Sequence, residues 1–74
     1  MKIQTVNVIE YEGNDLVGIQ SFSDDEEGNK EAKETFRDII KERDSGVTTE
    51  DLDVFTEEGY QEQGDYQIFL SHSS

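Results

Sequence analysis

Leu16-Val17-Gly18-Ile19-Gln20-Ser21-Phe22-Ser23-Asp24-Asp25-Glu26-Glu27 is the stretch whose reading decides the fold. Its first eight residues are rich in β-branched and other apolar side chains and read as a strand ending at Ser23. Its last four are all acids, suited to the positive end of a helix capped by Ser23 or Asp24. Downstream the apolar period changes. Ala32, Phe36, Ile39 and Ile40 recur at helical spacing, which predicts one amphipathic helix running to about Arg43. Upstream, Ile3 to Tyr11 contain no Gly or Pro and supply a partner strand, with Glu12 to Asp15 as the turn. Alternation puts Val6 and Val8 on one face and Ile3, Ile9 and Tyr11 on the other. On the return strand it pairs Val17 with Ile19 and Leu16 with Phe22.

The second half is shorter in every element. Ser45-Gly46 ends the long helix, and Thr48 or Thr49 before Glu50 and Asp51 has the form of an N-cap. Residues 49–57 read as a short helix, with a strand through Val54 and Phe55 as the alternative. Gly59 breaks that run. Tyr60 to Gln63 and Tyr66 to Leu70 form a second hairpin across Gly64-Asp65. Residues 71–74 read as a polar tail that frays. The pattern is ββα(α)ββ, a small α+β domain spanning 1–74, with helices on one face of an antiparallel sheet.

Leu, Ile, Val and Phe make up 18 of the 74 residues. That is above the ~20% at which a highly charged chain is expected to be disordered. A core this small supplies only about 3–5 kcal/mol, and small domains often add an oligomer interface. Helices cover one sheet face only, so the apolar residues on the other predict a homodimer. The chain has no Cys, which removes disulfides, thiolate metal sites and thiol nucleophiles. Nothing in it approaches the ~20 apolar residues of a spanning helix. The N-terminus lacks the features of a signal peptide, and a cytoplasmic location is expected.

Charge is the strongest functional clue. Nineteen acids face six bases, for a net charge of −13. Such a balance argues against direct binding to nucleic acid or anionic membranes. After Arg43 there is no Lys or Arg, while Asp44, Glu50, Asp51, Asp53, Glu57, Glu58, Glu62 and Asp65 follow. Five of the six bases lie on the long helix among acids at neighbouring turns, where Glu34 with Arg37 and Asp38 with Lys41 are spaced to pair. Acids one helical turn apart stand about 6 Å apart along the axis, and those at i, i+2 on a strand about 7 Å. Both spacings are near that of neighbouring phosphates on a nucleic-acid strand. The expected partner-binding residues are therefore Asp24, Asp25, Glu26, Glu27, Glu50, Asp51, Asp53, Glu57, Glu58, Glu62 and Asp65.

Catalytic signals are weak. His72 is the single histidine and lies in the expected tail, without a positioned partner. No acidic run fits the calcium-loop pattern, and no Gly-rich run fits a phosphate loop. Tyr11, Phe22, Phe36, Phe55, Tyr60, Tyr66 and Phe69 read as core or dimer contacts. An enzyme, a metal and a cofactor are not expected.

Asp24-Asp25-Glu26-Glu27, Glu50-Asp51-Leu52-Asp53 and Glu57-Glu58, with the short length and the charge, give the chain a family resemblance. It resembles the small acidic host-takeover proteins of bacteriophages, some of which mimic DNA, one of them acting on the bacterial histone-like nucleoid protein. The resemblance implies a DNA-mimic inhibitor whose partner is a basic DNA-binding protein in the host cytoplasm. The alternative is a small adaptor module whose acidity serves solubility alone. The helix bases Lys30, Lys33, Arg37 and Lys41 depart from an ideal mimic.

Overall fold

A computed structural model describes residues 4–73. The elements run β1 (Thr5–Glu12), β2 (Asp15–Ser23), α1 (Glu26–Arg43), α2 (Thr49–Glu58), β3 (Tyr60–Gln63) and β4 (Tyr66–Ser73). One four-stranded antiparallel sheet has the order β2-β1-β4-β3, and both helices pack on a single face of it. The fold is α+β, in the ββααββ order that the periodicities predict. Ile3, expected on the uncovered face, lies outside the described residues.

Each element starts and stops for a local reason. Asp25 is the N-cap of α1, accepting the Gly28 N–H at 2.7 Å, so the cap falls one or two residues beyond the expected Ser23 or Asp24. Ser23 donates its hydroxyl to the same carboxylate. Thr48 caps α2 by accepting the Asp51 N–H, which resolves the 49–57 ambiguity in favour of a helix. Gly59 ends α2 at φ 72° in the left-handed region, and its carbonyl accepts from Leu70 N–H, tying the helix end to β4.

Val6 and Val8 from β1, Tyr66 and Ile68 from β4, Ala32, Phe36 and Ile40 from α1, and Leu52 from α2 form the core. Phe22, Ile39, Val47, Phe55 and Leu70 pack around it. The α1 stripe therefore buries against the central strands, as its 3.6-residue spacing requires.

Two expectations about the strands need correction. The β1–β2 register shifts between Glu10 and Tyr11, so that Glu10 faces Gly18 but Tyr11 faces Leu16. Val17 is the extra residue of a β-bulge, and it turns Leu16 onto the face of Tyr11, away from Phe22. A one-residue slip inverts every later side chain. The second correction concerns residues 71–73, expected to fray. They continue β4, with His72 opposite Val6 and Ser73 opposite Thr5, because β1 lies alongside and supplies hydrogen-bond partners. His72 Nε2 lies 2.9 Å from Asn29 Oδ1 of α1.

Candidate acidic surface

The eleven acids singled out by sequence fall into three places. Asp24 and Asp25 belong to the junction of β2 and α1. Asp24 accepts from the Asn29 amide at 2.7 Å and Asp25 is the helix cap, so both carboxylates have structural partners. Glu26 and Glu27 extend from the first turn of α1 into solvent. Glu62 and Asp65 belong to the second hairpin. Glu62 accepts from the Tyr60 hydroxyl, and the Asp65 carbonyl accepts from Gly13 N–H at 2.7 Å, so the two hairpin turns sit side by side. Glu50, Asp51, Asp53, Glu57 and Glu58 make up the third group, all exposed on α2.

The two helices differ sharply in charge. Over Glu26–Arg43, α1 has six acids and five bases, whereas α2 over Thr49–Glu58 has five acids and no base. On α1 the positive and negative stripes alternate and partly cancel. On α2 the burial of Leu52 turns the opposite side outward. At its centre is Val54, 50% exposed. Asp51 and Glu57 lie three residues from it, Glu50 and Glu58 four, so the four acids surround Val54 at one-turn spacing.

Asp53 does not belong to that ring. Its Oδ1 accepts from Arg37 Nη1 at 2.8 Å, the one ion pair within 4.0 Å among the described residues. The Glu34–Arg37 and Asp38–Lys41 pairings that spacing suggests are thus not the ones formed. Arg37 reaches across to α2, which sequence distance alone did not indicate. Arg43 is also engaged, its guanidinium carbon 3.4 Å from the centre of the Tyr66 ring. The Tyr66 hydroxyl donates to Glu10 Oε1 at 2.6 Å, and burial together with that carboxylate raises the Tyr66 pKa above its ordinary value. Tyr60 is raised as well, first by its hydrogen bond to Glu62.

Glu57 and Glu58 occupy the last turn of α2, which contains no basic residue. That end of a helix carries the negative half of the macrodipole, so each acid there costs about 0.3–1 kcal/mol at an exposed site. Glu50 and Asp51 are in the opposite situation, favoured at the positive end.

The described residues form no pocket and hold no group of three or more His, Cys, Asp or Glu placed to share a metal ion. No described helix is long and apolar enough to cross a membrane. Compared with known protein families, curated proteins and solved structures, the chain matches none.

Proposed function

We propose that this chain is an acidic decoy that occupies the DNA-binding surface of a basic protein and keeps DNA off it. The observation that carries the reading is the outward face of α2. Glu50, Asp51, Glu57 and Glu58 surround the exposed Val54 with no base on the helix. Two of those acids stand where the helix dipole disfavours them. A surface acidic only for solubility gains nothing from that placement, since the same charges cost less elsewhere. An anionic face turned toward a cationic partner does gain from it. Val54 adds an apolar centre inside a charged rim, the arrangement in which a contact excludes water best.

The partner class is a basic DNA-binding protein, with the histone-like nucleoid type as the first to test. Complementary charge mainly accelerates encounter and makes the complex salt-sensitive. The test is displacement of a labelled DNA duplex from a purified histone-like nucleoid protein, followed as salt is raised from about 0.05 to 0.5 M. The chain should compete with the duplex at low salt, and its own affinity should fall steeply across the range. Binding that is insensitive to salt and leaves the duplex in place would favour the adaptor reading.

A further inference from the structure

The face of the sheet turned away from the helices is built differently from the rest of the molecule. Cross-strand register places Ile19 opposite Ile9, Ile9 opposite Phe69, and Phe69 opposite Tyr60, so one apolar row crosses all four strands. Tyr11 and Leu16 widen it. Tyr11 meets Phe69 edge-on at 5.8 Å between ring centres, and Tyr60 lies 5.0 Å from Phe69. None of these residues joins the core on the helix side. Ile19 and Leu16 are more than half exposed, at 57% and 54%. By strand alternation the remaining described residues of this face include Thr5, Asn7, Ser21, Gln67 and Ser71. Among the described residues of this face, Glu62, hydrogen-bonded to Tyr60, is the one that is charged.

We infer that this face is the interface of a homodimer, in which two sheets stack face to face and leave both acidic helix layers outside. Charge is what selects a second copy as the occupant. A basic partner finds almost no counter-charge here and is steered to the opposite side of the molecule. A second copy at −13 is repelled everywhere except where charge is absent. Stacked sheets lie about 10 Å apart, with a helix layer of about 10 Å beyond each. The acids of the two helix layers then stand roughly 30 Å apart, several times the Debye length of ~8 Å at physiological salt. Area fits a weak, reversible pair. Three long strands and a short one give a footprint of roughly 450 Å² per copy from strand spacing and rise. The pair then buries about 900 Å² before side-chain relief is added, the size of a weak, reversible contact. The dimer is consequently concentration-dependent. It rests on a different surface from the decoy reading, and neither depends on the other.

Sedimentation equilibrium from about 5 to 500 µM tests it by mass action. The native chain should move from 8.5 kDa toward about twice that mass as concentration rises. Ile19→Lys puts a charge into the apolar row at an already exposed position and should weaken dimerisation by at least about tenfold. Val54→Lys makes the same kind of change at a similarly exposed residue on α2 and should leave dimerisation intact. Phe69→Thr removes the centre of the row on an interior strand. It should dissociate the dimer, with circular dichroism reporting whether the variant stays folded. A native chain that remains at 8.5 kDa throughout overturns the proposal. So does equal loss from Ile19→Lys and Val54→Lys. A folded Phe69→Thr that dimerises like the native chain also overturns it, since pairing would then run through the β2 edge.

Discussion

Arg37 of α1 and Asp53 of α2 form an ion pair at 2.8 Å, and through it the longer helix neutralises one acid of the base-free half. Both side chains are partly open to solvent, at 30% and 63% exposure. Water screens such a pair, so its contribution to stability is small, within about 1 kcal/mol. Its larger effect is on the potential around α2. Asp53→Asn should lower the urea midpoint only slightly and should reduce partner binding less than Glu57→Gln does. Equal losses of affinity would mean that Asp53 faces the partner directly.

The α2 ring should carry the decoy's binding more than the acids of α1. Changing Glu50, Asp51, Glu57 and Glu58 together to amides is compared with the same treatment of Glu27, Glu31, Glu34 and Asp38. The α1 acids are interleaved with Lys30, Lys33, Arg37 and Lys41, which weaken their field. The α2 set should therefore cost more affinity and more salt dependence. A larger loss from the α1 set places the surface on the wrong helix.

Stability and binding should move in opposite directions at the end of α2. Glu57→Lys and Glu58→Lys each replace an acid by a base next to the exposed helix carbonyls, and should stabilise the fold by about 0.3–1 kcal/mol. The same changes should weaken binding to a basic partner. Urea unfolding and the duplex displacement assay, run on one preparation, check both signs.

Gly28 admits no side chain. A Cβ there would come within 1.8 Å of the Ser23 carbonyl oxygen, which is backbone and cannot swing aside. The first turn of α1 sits directly on the end of β2. Gly28→Ala should destabilise by about 1–3 kcal/mol or more, a large fraction of what so small a core supplies. Helical circular dichroism at ambient temperature should fall visibly. A variant as stable as the native chain would mean that α1 can shift along the sheet without loss.

Tyr66 gives the fold an alkaline limit. The residue is buried and its hydroxyl donates to Glu10, and its pKa is raised above the ordinary value near 10, first by burial and then by that hydrogen bond. The protonated form is the one the fold favours. Its stabilisation is fully present below pH ~10 and declines above it, where the unfolded chain ionises first. Tyr66→Phe should be less stable near neutrality, having left Glu10 without its donor, and should show a shallower decline between about pH 9.5 and 11.5. Urea midpoints across that range measure it. An unchanged slope would assign the decline to other groups.

The local elements of this protein are legible in its sequence because their causes are local. Ala32, Phe36 and Ile40 recur at a helical period, Thr48 reaches its own helix N–H, and Gly59 and Gly64 supply positive φ, while the cap of α1 is legible only to within two residues of Asp25. The acidity of residues 44–73 is equally plain in the sequence, whereas the ring of acids around Val54 exists only once Thr49–Glu58 is a helix with Leu52 buried. Tertiary pairing decided the rest. The bulge at Val17 cannot be seen without β1 beside it, yet it sets the face on which Leu16 lies. His72 and Ser71 look like a tail until β1 is placed between β2 and β4, when residue 72 gains residue 6 as its neighbour. Arg37 had acids within one turn on its own helix, but it bonds an acid sixteen positions away. A side chain near the surface takes the partner that packing brings within reach, and packing depends on contacts distant in sequence, which neither periodicity nor spacing encodes.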